Sequence, residues 1–261
     1  MIVLRPGQIE VSQYQSGTMA VPAVPGAGKT TVLSHLAANL IAKELQPGQK
    51  ILVVTVMNSA VANFKSKMRA LLEEKGLPAQ GYEVKTLHSL GLFILKARPE
   101  KVMVNSAFDI LTGEERVRLV YGLTDRWMGQ NRERWIKFLN VTADSKWYEK
   151  GLSRWMSAIK DMVNTTITQI KLQGYSRNEW DLIKSKIINF EKDSFLKWAV
   201  EIMEDYRQEL NNLGRVDFDD LIVLAYRLLE EDDDLRERMQ NRWACVFEDE
   251  AQDSTPLQEK M

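Results

Sequence analysis

The amino-acid sequence predicts an α/β protein, a parallel sheet flanked by helices and interrupted by an all-helical insertion. Three observations predict it. Between residues 17 and 98, short apolar runs alternate with stretches of helical period, the signature of parallel strands joined by helical crossovers. From about residue 99 to 212 strand-like runs vanish and helical spacing takes over. At 243–247 an apolar run, "WACVF", returns the chain to a sheet just ahead of a group of acids.

Taken in order, "GTMAVPA" (17–23) reads as a short buried strand. Gly26 to Gly28 make a turn before "KTTVLSHLAANLIAKEL", whose apolar residues recur at helical spacing until Pro47 and Gly48 end the helix. "KILVVTV" (50–56) is a second strand, a helix follows from Ser59 to about Glu74, and "YEVKT" (82–86) is a third strand leading into a helix from His88. The insertion reads as helices at "TGEERVRLVYGL", "RERWIKFL", "KGLSRWMSAIKDMV" and "FLKWAVEIMEDYRQEL". The expected divisions are 1–98 for the first part of the sheet domain, 99–212 for the helical subdomain and 213–261 for the return.

Composition narrows the function classes. With 261 residues and 44% apolar content the chain can build a sizeable core. Its longest apolar runs fall far below the ~20 residues that span a bilayer, and the N-terminus lacks a signal-peptide pattern, so a cytoplasmic protein without a membrane partner is expected. A single cysteine, Cys245, excludes an intrachain disulfide framework and a multi-cysteine zinc site. Two histidines, His35 and His88, do not make a histidine-rich metal centre. The net charge of −1 hides an asymmetry: residues 1–200 carry 28 basic and 18 acidic side chains, and 201–261 carry 7 and 18. That distribution permits a basic face on a nearly neutral protein. The acidic stretch "EEDDDLRER" (230–238) reads as a solvated helix.

"AVPGAGKTT", Ala23 to Thr31, fits the phosphate-loop pattern with Ala23 in the place of the first glycine. Backbone N–H groups must curl around a polyanion with no side chain in the way, which Gly26, Ala27 and Gly28 permit. Lys29 is placed to reach the β and γ phosphates of ATP, Thr30 to ligate Mg2+, and Ala23, Val24, Pro25 and Thr31 complete the nucleotide-binding stretch. About 220 residues later "EDEAQD" offers Asp249 as a magnesium ligand and Glu250 as the group that polarises the attacking water. Adjacent acids on a strand point to opposite faces, so the turn at the strand end must re-aim one of them. The alternative is an exposed acidic loop.

Four further stretches accompany these motifs: "LRPGQIE" ahead of the first expected strand, "TVMNSAVANFKSKM" after the second, "TLHSL" after the third and "GRVDFDDLI" before the acidic strand. In that order and spacing, with "EDEAQDSTPLQ" at the end, the chain resembles the N-terminal part of a UvrD/Rep-type superfamily 1 DNA helicase. The resemblance implies a P-loop NTPase fold of RecA-like type, ATP and Mg2+ as cofactors, and single-stranded and duplex DNA as partners. It assigns adenine recognition to Gln8, DNA contact to Thr55, Asn58, Ala60, Thr86, His88 and Ser89, and catalytic roles to Lys29, Glu250 and Gln252, the last sensing the γ phosphate. It also implies 3′ to 5′ movement and a second RecA-like domain whose arginines complete the ATP site. No such domain lies within these 261 residues, so the chain reads as half of a motor that alone binds nucleotide weakly and hydrolyses it negligibly.

The pattern departs from the family at Val56, where an aromatic residue is usual, which puts in question a base-stacking contact worth ~1–3 kcal/mol. It departs again at Val24 and Pro25, where small residues are usual. Other readings stay open: His88 as a cap or packed histidine, Phe218 as core, and Asp217, Asp219 and Asp220 as caps of the next helix. Residues 126–160 carry eight basic and three acidic side chains interleaved with Trp127, Trp135, Trp147 and Trp155. Such a mixture can bind DNA, but at least three of the tryptophans read as the core of the helical subdomain. The alternatives at the level of function are a P-loop small-molecule kinase and a non-catalytic DNA-binding module.

Overall fold

A computed structural model describes residues 5–24, 26–43, 45–101, 109–139, 148–190 and 192–261. The chain divides into two compact units, Met1–Phe93 with Leu229–Ser254, and Ile94–Leu228 with Thr255–Met261. Residues 94–98, 213–228 and 255–261, assigned by the sequence reading to the sheet domain, group with the helices.

In the first unit the described elements are α1 (Pro6–Ser12), α2 (Lys29–Ala42), β1 (Lys50–Thr55), α3 (Asn58–Glu74), β2 (Tyr82–Thr86), the start of α4 (Leu87–Ala97), the end of α10 (Phe218–Glu231), α11 (Asp233–Arg242) and β5 (Trp243–Glu248). Its sheet has the order β2-β1-β5, all parallel, with Val53 opposite both Val84 and Phe247. β1 is central and covered on both faces, which is why "ILVVT" is buried at every position and lacks alternation. Ile51 and Val53 pack with Leu36, Ala37 and Ala38 of α2 and with Phe64, Met68 and Leu72 of α3. The half-buried Cys245 joins this cluster, and burial pushes its thiol pKa up, the state of a packed rather than a reactive cysteine.

One expected strand does not form. Residues 18–24 are exposed and lie in no strand, so among the described residues β5 is an edge of the sheet, and Val246 is 57% exposed. The apolar run in "GTMAVPA" reads as a buried strand, but Pro22 removes a ladder donor and restrains Val21, and Gly17 turns the chain with φ 93°.

The second unit is helical: the rest of α4, α5 (Gly113–Gln130), α6 (Arg132–Trp135), α7 (Tyr148–Leu172), α8 (Arg177–Ile188), α9 (Phe195–Leu213), most of α10 and α12 (Pro256–Lys260). Two two-residue strands, β3 (Asp109–Ile110) and β4 (Arg215–Val216), pair in parallel. Local signals set the helix starts: Thr112 with Glu115 and Ser176 with Glu179 form capping boxes, and Ser194 caps α9. Trp127 and Trp135 are buried with Trp198, Val163, Ile167 and Tyr206, and Trp155 stacks on Trp135 at 5.2 Å. Trp147 lies outside the described residues. Some cations of the basic stretch are consumed internally. Arg134 forks onto both oxygens of Asp193 and also binds Glu201, and Lys160 pairs with Asp125 at 2.7 Å.

At the centre of this unit Asp217 is fully buried and accepts from Lys171 at 2.7 Å, Tyr206 at 2.7 Å and Arg116 at 3.3 Å. Lys171 also reaches Asp220 at 2.7 Å, and Asp217 and Asp220 each accept the other's backbone N–H, capping α10. Phe218, read as core, is instead 49% exposed. Its neighbours Asp217 and Asp220 turn inward to the lysine, which leaves the intervening ring facing outward.

Candidate nucleotide site

α2 begins at Lys29 because Gly28, at φ 85° and ψ 28°, turns the chain into it through the left-handed region. Gly26, at φ 77°, lies in the same region, so conformation favours glycine at both places, and at Gly28 a Cβ would also come within 3.1 Å of Gln8 Nε2. Ala23 and Val24 are exposed, and Pro25 lies outside the described residues. The first amides of α2 point back along the loop, an arrangement suited to an anion.

The acids arrive from β5. The N–H of Asp249 donates to the carbonyl of Val54 at 3.0 Å, extending the ladder one residue past the strand. Glu250 then enters the left-handed region at φ 65°, alone among described non-glycine residues. That turn resolves the orientation problem of adjacent acids. Thr30 Oγ1 donates to Asp249 Oδ2 at 3.2 Å and Lys29 Nζ donates to Glu250 Oε2 at 2.9 Å, so both carboxylates meet the phosphate loop. Gln252 Nε2 donates to the same Glu250 oxygen at 2.5 Å. The hydrogen bonds from Gln252 and Lys29 lower the Glu250 pKa, and the bond to Glu250 raises that of Lys29, so both groups are charged at neutral pH.

Asp249 is 5% exposed, and its Oδ1 has no hydrogen-bond partner. A buried carboxylate oxygen without a donor is costly unless a cation completes it. Together with the Thr30 hydroxyl, this donor pair fits a magnesium ion whose other ligands are phosphate and water oxygens. No group of three or more His, Cys, Asp or Glu that could hold a metal is found among the described residues.

Gln8 on α1 reaches the loop from the other side: its Nε2 donates to the carbonyl of Ala27 at 2.8 Å, while its Oε1 accepts from the N–H of Arg5. A cleft of about 1500 Å³ is lined by Gln8, Tyr14, Ala27, Lys29, Asp249 and Gln252, among others, ample for a nucleoside triphosphate. Tyr14 was not anticipated, nor was Lys67 of α3, whose Nζ donates to Thr31 Oγ1 at 3.3 Å. Neither carries a signal in local sequence, since Lys67 looks like any cation on an amphipathic helix.

The remaining candidates follow the ends of β1 and β2. Thr55 is buried, whereas Asn58 is exposed and Ala60 half-buried in the first turn of α3. Thr86 closes the first turn of α4 by accepting from the N–H of Ser89, whose hydroxyl donates to the Thr86 carbonyl at 2.8 Å. His88 is half-buried. These six are not brought into the cleft.

Among the described residues no helix is long and apolar enough to cross a membrane. The profile of the UvrD/REP helicase N-terminal domain matches residues 4–261. The chain is 27% identical over 255 residues to the ATP-dependent DNA helicase Rep of Salmonella typhimurium, covering 98% of this chain and 33% of that protein. It is 27% identical over 245 residues to DNA helicase II of Haemophilus influenzae, covering 94% and 29%. With the ATP-dependent DNA helicase PcrA of Bacillus subtilis it shares 25% over 255 residues, covering 98% and 30%. The chain thus spans about a third of the length of these relatives. With a phosphate loop facing two acids at the end of a parallel sheet, it belongs to the UvrD/REP helicase N-terminal domain family.

Proposed function

We propose that this chain is the N-terminal, ATP-binding part of an ATP-dependent DNA helicase or translocase that moves 3′ to 5′ along single-stranded DNA and unwinds duplex. The observation that carries the reading is the meeting of Lys29 and Thr30 with Glu250 and Asp249 across some 220 residues of sequence. In this reading the loop amides after Gly26 hold the polyphosphate, Lys29 exchanges Glu250 for the β and γ phosphates, and Gln8 turns its amide to the adenine edge. Thr30 and Asp249 hold Mg2+, which neutralises phosphate oxygens when bound. Glu250 orients the attacking water and Gln252, already bonded to it, senses the γ phosphate. Thr55, Asn58, Ala60, Thr86, His88 and Ser89 form the DNA-contacting edge. The helical subdomain expected at 99–212 works on DNA ahead of the motor.

A second RecA-like domain supplies arginines to the γ phosphate, and an arginine of that kind is worth ~10³–10⁵ in rate. The 261 residues alone therefore bind nucleotide weakly with negligible turnover. Titration of the purified chain with a fluorescent ATP analogue tests the reading. Binding is expected to need Mg2+, to disappear in Lys29→Ala, and to lose its metal dependence in Asp249→Ala. Equal binding by wild type and Lys29→Ala would refute it, as would rapid DNA-stimulated hydrolysis by the isolated chain for the claim of negligible turnover.

A further inference from the structure

Among the described residues the helical unit buries Trp127, Trp135, Trp180 and Trp198. An indole N–H taken out of water usually finds an acceptor. Trp127 donates to Glu201 at 2.9 Å, Trp135 to the Met128 carbonyl at 2.8 Å and Trp198 to Asp193 at 2.7 Å. Trp180, 4% exposed and the single buried residue of α8, donates to no protein group. It lines a cavity of about 20 Å³ together with Lys171, Tyr175, Arg207, Asp220 and Arg227, among others. All of them belong to the helical unit.

Size and charge together choose an occupant. One water needs ~10–15 Å³, and the cavity offers little more, so larger molecules are excluded. Lys171, Arg207 and Arg227 repel a cation, and the Asp220 carboxylate repels an anion. A small neutral molecule that both accepts and donates meets neither obstacle. Asp220 has capacity to spare: it accepts from Lys171 at 2.7 Å and from the Asp217 N–H at 3.3 Å, two of the roughly four sites a carboxylate offers. We propose that this cavity binds one internal water, which accepts from the Trp180 indole and donates to Asp220, making Trp180 the outermost member of the Lys171–Asp217–Asp220 network. Buried waters make about three hydrogen bonds, and the hydroxyl of Tyr175, on the same lining, is a group able to supply the third. The water ties α8, through its one buried residue, to the first turn of α10. Nothing in this depends on the ATP site.

NMR of the 261-residue chain, isotopically labelled at its tryptophan indoles, tests the proposal. The Trp180 indole proton is identified by its disappearance in Trp180→Phe or, should that variant fail to fold, by through-bond assignment of the wild type. It is expected to show a cross peak at the water frequency with the sign of dipolar contact rather than of exchange. The Trp135 indole, bonded to the Met128 carbonyl, is the internal control without one. Absence of a dipolar cross peak at Trp180 overturns the proposal. Val223→Ile adds a methylene to the lining and is expected to remove the cross peak. It should also raise the unfolding equilibrium constant roughly five-fold or more, because the displaced water leaves the indole stranded. In a dry cavity the same change would fill space and leave the constant level or lower, which would overturn the proposal. A bromide peak in the cavity of bromide-soaked crystals, the mark of an anion, would overturn it as well.

Discussion

Replacing Lys171 by Met should destabilise the helical unit more than almost any other conservative change in it. The ammonium is 3% exposed and lies 2.7 Å from both Asp217 and Asp220. Burial alone would raise the Asp217 pKa, but the charge and hydrogen bond of Lys171, aided by Tyr206 and the Asp220 N–H, hold that carboxyl well below the usual range. Methionine fills the space of the lysine stem and leaves two carboxylates facing one another. Removing one partner of a buried ion pair costs about 3–5 kcal/mol. Asp217 keeps Arg116 and Tyr206, so a loss near the lower figure, about 3 kcal/mol, is expected. With a urea slope of roughly 2 kcal/mol/M, the midpoint falls by about 1.5 M. Tryptophan fluorescence reports it well, because Trp127, Trp135, Trp155, Trp180 and Trp198 all belong to this unit and only Trp243 among the described tryptophans belongs to the other. Adding Asp217→Asn to Lys171→Met should recover part of the loss, since the stranded charge is gone. A loss below about 1 kcal/mol in the single variant would refute the claim that this network is the polar keystone of the unit.

Two further outcomes follow from the geometry. The bond from Arg134 pulls the Asp193 pKa from 3.8 to about 2. A depressed carboxylate stabilises the fold above its unfolded pKa, so this contribution, roughly 2 kcal/mol, is intact above pH 4 and is lost as pH falls through about 2. In acid titrations Asp193→Asn should remove that segment of the unfolding curve, and a superimposable curve would contradict it. At the loop, Gly28→Ala places a Cβ 3.1 Å from Gln8 Nε2 at φ 85°, so nucleotide binding should weaken. Thermal unfolding separates the two causes: adding Gln8→Ala relieves the clash and not the backbone strain, and full recovery of stability in the double variant would show that strain is unimportant there.

Much of the sheet unit was legible because its signals are local. The unbroken apolar run of β1 marks a strand covered on both faces, and the loop of Gly26 and Gly28 before a helical period marks where α2 starts. The acids were found from their place at the end of β5, although only the structure shows that a left-handed Glu250 brings both of them to the loop. The strand expected at 17–23 does not form because a short apolar run cannot outweigh the donor that Pro22 lacks. β3 and β4 are two residues each, too short for any period to show. Lys171 reads as a solvated lysine on a helix, and its burial depends on a partner 46 residues away. The docking of Lys260 on Gly174 spans 86 residues and leaves no mark in either segment.

The left-handed backbone at Glu250 also bears on how this protein would respond to selection in the laboratory. A glutamate in that conformation carries a cost that glycine would not, and asparagine less so. A library sorted only for heat tolerance should therefore drift toward glycine or asparagine at position 250, giving sturdier molecules stripped of the carboxylate that meets Lys29.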